Sequence, residues 1–148
     1  MKTPRIRALA LCVFHHQGRI LVHRFDDPVT GQTLFRPVGG GIEFGETSAQ
    51  AIVREVQEEL DQTVDHLRLV GTLESLFTYN NTPGHEIVQV YDGQFRDQRL
   101  YQMACLTGHE SDGMAFQVTW QDSSAFTDSA PLVPEGLYPL LKNAGLLD

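Results

Sequence analysis

Apolar residues fall into two rhythms along this chain. Ile6 to Phe14 and Ile20 to Arg24 are short strand-like runs, and His16-Gln17-Gly18-Arg19 between them is a turn signal, so the spacing predicts a hairpin. After the polar loop Asp26 to Gln32, Leu34 to Val38 predicts another short strand. From Ser48 the period changes: Ala49, Ile52, Val53, Val56 and Leu60 recur at helical spacing and predict one buried face. Thr47, with Gln50 three residues on, makes a capping box that starts this helix. Leu67 to Tyr79 and Glu86 to Phe95 predict a second hairpin, joined by the turn formers Asn80-Asn81-Thr82-Pro83-Gly84.

Beyond that hairpin the pattern weakens. Arg99 to Leu106 fits strand or helix equally. Thr107 to Gly113 reads as a loop, Ala115 to Trp120 as a strand, and the polar, Ser-rich Gln121 to Ala130 as a loop. Leu137, Leu140 and Leu141 predict a closing helix within Pro134 to Ala144, with Pro139 accommodated in its first turn and Gly145 ending it. Strands with one helix in the middle and one at the end predict an α+β fold, helices packed on a mixed sheet. The chain of 148 residues carries no repeat or linker and is expected to be one domain.

Composition narrows the partners. With 41% hydrophobic and 20% charged residues the chain belongs to the soluble globular class, and its net charge of −8 disfavours general affinity for nucleic acid or an anionic membrane. No basic patch offsets that charge; the arginines are scattered. Cys12 and Cys105 lack the spacing of a zinc site or a disulfide framework, and Cys12 belongs to an apolar run. His15, His16 and His23 flank the first hairpin and are assigned no function. The apolar run Ala8 to Phe14 is too short for a membrane span and leads to no small-residue cleavage signal, so a cytoplasmic location is expected. Monomer and homodimer both remain open.

Candidate chemistry concentrates between Gly39 and Gln62. Gly39, Gly40 and Gly41 permit a tight loop with exposed backbone. On a wheel advancing about 100° per residue, Glu55, Glu58 and Glu59 share one arc beside the apolar stripe. Like charges at that spacing weaken a helix by roughly 0.2–0.5 kcal/mol per pair, so the cluster calls for a compensating cation or donors. Mg²⁺ suits it, being a hard ion that bridges carboxylates to phosphates, and Mn²⁺ is the alternative. Arg54, four residues before Glu58, can hold that carboxylate. By composition alone, a solvated acidic helix face is the competing interpretation.

The spacing favours chemistry. Gly40, Glu46, Arg54, Glu55, Val56, Glu58 and Glu59 fill seven of the nine specified positions of a pattern that resembles the Nudix hydrolase signature, Gly-x5-Glu-x7-Arg-Glu-aliphatic-x-Glu-Glu-x-Gly-aliphatic. The departures are Asp61 for the Gly and Gln62 for the aliphatic residue. Asp tolerates the left-handed conformation that a Gly normally supplies there, at a cost on the order of 1 kcal/mol. The helix is therefore still expected to end at Asp61.

The resemblance implies an α/β/α sandwich and metal-dependent cleavage of a pyrophosphate linkage in a nucleoside diphosphate derivative, a small-molecule nucleotide substrate. It implies Mg²⁺ on Glu55, Glu58 and Glu59 with the carbonyl of Gly39. Glu58 is taken as the base, Glu59 as the main ligand, and Glu46 and Arg54 as supports. A fold of this type that binds a nucleotide without cleaving it is the alternative. Outside the signature, Arg24 and Arg36 are candidate phosphate contacts, and each also fits an ordinary surface or ion-paired arginine. Tyr79 and Glu86 are candidates for base and ribose contacts. Family members often add an acid from a loop, for which Glu86, Glu110 and Asp112 are open choices.

Overall fold

Strand β1 (Arg7–Val13) explains the architecture, because its side chains from Leu9 onward are buried on both faces. The computed structural model describes residues 3–148. Ala10 and Cys12 point into a core shared with Ile52 and Val56, while Leu9, Leu11 and Val13 point into another shared with Leu137 and Leu141. The sheet layer therefore lies between two helices, α1 (Ser48–Leu60) and α2 (Leu137–Asn143). This is the expected α+β class in its three-layer α/β/α form. Among the described residues no helix is long and apolar enough to cross a membrane.

The strands form two sheets. The first runs β5 (Val38–Gly41), β1, β7 (Thr82–Phe95), β6 (Val64–Tyr79); β1 lies parallel to β7 and antiparallel to β5. The second runs β2 (His15–His16), β3 (Arg19–Asp26), β9 (Ala115–Gln121), β8 (Cys105–His109), with β4 (Thr33–Arg36) on the other side of β3.

The predicted first hairpin is therefore corrected. The turn exists, with Gln17 and Gly18 both left-handed, but it joins β3 to the two-residue β2. At Phe14 the chain leaves the first sheet, since β1 is already enclosed by β5 and β7. The second hairpin forms as expected but turns more tightly: Asn80 and Asn81, with φ of 53° and 58°, make the whole turn, and Thr82-Pro83-Gly84 already belong to β7. Arg99 to Leu106 divides into a 3₁₀ turn over Gln98–Gln102 and the start of β8, which also takes Thr107 to His109 out of the predicted loop.

The helices follow their signals. Thr47 accepts the Gln50 N–H while the Gln50 side chain accepts the Thr47 N–H, closing the capping box. Asp61 ends α1 in the left-handed conformation, its N–H on the Gln57 carbonyl and its carboxylate accepting from Gln57 Nε2 at 2.7 Å. Ala51, Ile52, Val56 and Leu60 are buried, whereas Val53, predicted inward, is exposed and lines a shallow apolar dimple with Ala49 and Leu67. Burying a side chain such as Ile52 contributes roughly 1.5–3 kcal/mol, which sets α1 firmly on the sheet.

Candidate active site

Packing of α1 against β1, β5 and β8 brings its carboxylate face to the glycine strand. Gly39 has φ of 147°, and a Cβ there would run into the Ala10 carbonyl oxygen, so the close pairing of β5 with β1 needs glycine. Gly40 does something different. A Cβ on it would lie 2.7 Å from the Glu55 carboxyl carbon, so its missing side chain is the space that Glu55 occupies.

Arg54 fastens loop to helix. Its guanidinium donates to both oxygens of Glu46, at 2.6 and 3.1 Å, and to the Gly41 carbonyl at 2.9 Å. Nη1 also donates to Glu55 at 2.9 Å and Glu58 at 3.4 Å. Glu46 in turn accepts the Glu43 N–H, which closes the loop on itself. Hydrogen bonding from Arg54 holds the Glu46 carboxyl below its usual range, and that from Glu46 pushes Arg54 still higher, so both stay ionised.

Glu55 and Glu59 are one turn apart on α1 and act on each other across that turn. Burial, followed by the neighbouring Glu55 carboxylate and the charge of Glu110, pushes the Glu59 carboxyl up to about 9, with Arg36 pulling the other way. Two acids therefore share a half-buried space, with the charge of Glu110 acting on it from the β8–β9 loop. The donor set, hard carboxylate oxygens beside exposed glycine backbone, fits a divalent cation. Glu58 stands apart from the pair, its side chain 60% exposed and turned to Arg54. Among the described residues no three carboxylate, imidazole or thiol groups converge on one point as the side chains stand, so a third ligand requires Glu58 or Glu110 to turn inward.

Of the residues named from sequence outside α1, Arg36 joins the acids, acting on both Glu59 and Glu86. Glu86 is half-buried and its carboxyl is raised by burial, opposed by Arg7 at 3.6 Å and by Arg36. Arg24 pairs across the strands with Phe35 and Arg36 with His23, so these two arginines lie on opposite faces of the second sheet. Arg24 donates to Thr33 and lines a groove of about 890 Å³ with Phe35, Gln117, Thr119 and Gln121. Tyr79 places its ring edge on Phe25, with its hydroxyl 3.5 Å from the Asp26 carbonyl. Asp112 is spent on its own loop, accepting the Met114 N–H, and is not brought to the site.

Two residues escaped the sequence reading. Arg7, at the start of β1, pairs with Glu86 at 3.6 Å; strand alternation, which puts residues 7, 9 and 11 on one face, was the signal for it. Asp27, within what looked like a plain polar loop, is only 5% exposed, and the Asp-Pro pair that follows the β3 run was the available signal.

A glycine strand beneath a capped helix, with an arginine-fastened loop and paired half-buried carboxylates, is an arrangement suited to hydrolysis of phosphoric anhydrides. The chain belongs to the Nudix family: residues 3–131 match the family model described as NUDIX domain. It is 32% identical over 115 residues to an RNA pyrophosphohydrolase of Gluconacetobacter diazotrophicus, a match covering 74% of this chain and 67% of that protein. Among solved structures, the MutT NUDIX hydrolase of Burkholderia pseudomallei superposes with a TM-score of 0.65 at 19% identity, covering 92% of this chain and 96% of the other. A NUDIX hydrolase of Nitrosomonas europaea does so with a TM-score of 0.65 at 16% identity, covering 97% and 92%. The structural likenesses establish the fold; the chain is a pyrophosphohydrolase by family and by its curated relative.

Proposed function

We propose that this pyrophosphohydrolase acts on a nucleoside diphosphate linked to a further group, with Mg²⁺, or Mn²⁺ in its place, held by Glu55, Glu59 and the Gly39 carbonyl and completed by Glu58. The observation that carries this is the Glu55–Glu59 pair, two crowded acids kept beside Gly40 at the cost of an upshifted carboxyl. When bound, the cation supplies charge neutralisation to the diphosphate and acidifies a water. Glu58 takes the proton of the attacking water, oxygen joins phosphorus, and the anhydride P–O bond breaks to release two phosphate-bearing products. Its exposure leaves it free to pass that proton to solvent. Arg54 keeps Glu46, Glu55 and Glu58 in register. Arg36, whose charge acts on both Glu59 and Glu86, contacts a phosphate oxygen. Arg24 and Tyr79 serve the group beyond the diphosphate.

One observation bears on that group. The relative from G. diazotrophicus is named an RNA pyrophosphohydrolase, so a 5′-triphosphorylated RNA end is a specific candidate. The net charge of −8 confines any such contact to the end itself. The test is a panel of ATP, ADP-ribose, NADH, UDP-glucose, a dinucleoside tetraphosphate and a 5′-triphosphorylated oligoribonucleotide, each with Mg²⁺ and with chelator, assayed for phosphate or nucleotide release. Metal-dependent turnover of at least one is expected. A folded protein that turns over none would instead be a nucleotide-binding module.

A further inference from the structure

Asp27 is the one buried carboxylate among the described residues, and the chemistry above does not use it. Its Oδ1 accepts the N–H groups of Val29 at 2.9 Å and Thr30 at 3.4 Å, and across the fold that of Asn80 at 3.3 Å. The first two shape its own loop, which the Asp27 N–H closes on the Gln32 carbonyl. The third reaches a different element. In a two-residue hairpin the ladder ends at Tyr79 and Thr82, so the Asn80 N–H has no partner within β6 and β7 and must find one elsewhere. Asp27 provides it.

That bond has leverage because of what it holds. Pairing of β1 with β7 begins at Glu86, so Leu76 to Tyr79 and Thr82 to His85 project beyond β1 as a two-stranded arm. Two strands alone are marginally stable, and an arm of this kind opens unless tied down. Its ties to the β3–β4 side are the Asp27–Asn80 bond, the Tyr79 hydroxyl on the Asp26 carbonyl and the Phe25–Tyr79 ring contact. The Asp27 loop leads into β4, which carries Arg36; the arm leads into β7, which carries Glu86.

We propose that Asp27 is a positioning residue: by joining the β3–β4 loop to the tip of the β6–β7 arm, its carboxylate sets the separation of Arg36 and Glu86 at the mouth of the diphosphate site. This rests on the reading of that site given above. The acids on α1 and the glycine strand β5 do not depend on the tie, so its loss weakens substrate capture and spares the chemical step. Binding then has to order the arm as well as fill the site.

The test compares wild type with Asp27→Ala, which removes the acceptor, and Asp27→Asn, which keeps one. Amide exchange at Asn80 and across residues 27–32 is expected to quicken at least tenfold in Asp27→Ala and little in Asp27→Asn. With the best substrate of the panel, KM is expected to rise about tenfold in Asp27→Ala with kcat within twofold, and to return towards wild type in Asp27→Asn. Calorimetric binding of α,β-methylene-ADP with Mg²⁺ should weaken in parallel. Wild-type KM and affinity in a folded Asp27→Ala would overturn the proposal, as would equal losses in both variants. If wild type turned over nothing in the panel, the proposed function would fall by that result alone, and exchange with α,β-methylene-ADP affinity would still decide the role of Asp27.

Discussion

Glu55 occupies the space that any side chain on Gly40 would need, its carboxyl carbon 2.7 Å from where a Cβ would stand. Two positions far apart in sequence are thus locked to one another, and the smallest possible enlargement tests the lock. Gly40→Ala is expected to push Glu55 off its place beside Glu59 and Arg54, lowering turnover by about a hundredfold or more, equivalent to roughly 3 kcal/mol of barrier. Helix content by circular dichroism should stay at the wild-type level. Undiminished kcat would show that Glu55 need not hold its observed position.

Glu58 and Glu59 differ in burial, and their replacements should separate proton transfer from metal binding. Glu59→Gln is expected to keep the fold, lower turnover by about two or more orders of magnitude at saturating Mg²⁺, and abolish the Mg²⁺-induced rise in Tm. Glu58→Gln should lower turnover comparably yet keep most of that thermal shift. Reversed thermal shifts would exchange the two roles.

Asp27 also makes a pH prediction. The backbone N–H of Val29, followed by those of Thr30 and Asn80, holds its folded carboxyl below the usual range. In the acid range the unfolded chain therefore binds more protons than the folded one at this residue. The stability it contributes is complete above the unfolded value near 3.9 and is lost as pH falls through the lower folded value. Asp27→Asn should melt below wild type at neutral pH, and the difference in Tm should shrink as the melts are taken down to about pH 2. A gap that widened with acid would contradict this sign. Glu46, Asp65, Asp97 and Asp122 are depressed likewise, so the common acid limb persists in the variant.

Asp61 holds a left-handed conformation at φ 54°, which favours glycine. Asp61→Gly is expected to raise stability by up to about 1 kcal/mol, or about 2–4 °C in Tm, less what the Gln57–Asp61 hydrogen bond contributes. Turnover should not change, because Asp61 follows the last carboxylate. Differential scanning calorimetry and kcat on one preparation settle both.

Much of this was legible where neighbours in sequence decide the outcome. The capping box, the period of α1, the left-handed end at Asp61 and the Asn-rich turn all follow from local sterics and local hydrogen bonds. The spacing of Glu55 and Glu59 is equally local, whereas Glu58, placed on the same arc, turns outward to Arg54. What hid was decided by distant partners. The first hairpin failed because β1 prefers a parallel berth against β7, which nothing between Arg7 and Arg24 announces. Val53 turned outward and Ala51 inward, because which column beside Ile52 and Val56 is covered depends on what packs against α1 and not on its own period. Arg24 and Arg36 looked equivalent as brackets of one segment, yet strand alternation sends them to opposite faces. Asp27 could be recognised as a ligand for Asn80 only once the arm was folded across it.

That parallel berth also sets an order of assembly. The glycine strand is hydrogen-bonded to β1, and β1 gains its other neighbour only when β7 arrives from far down the chain. Local hairpins close quickly, whereas such a long loop carries a large closure entropy before any contact rewards it. During synthesis α1 and the glycine strand emerge well before β7, so the strand under the carboxylates waits for the β6–β7 hairpin to be delivered. The place of the glycine strand in its sheet is thus complete only once β7, which follows it by about forty residues, has joined β1.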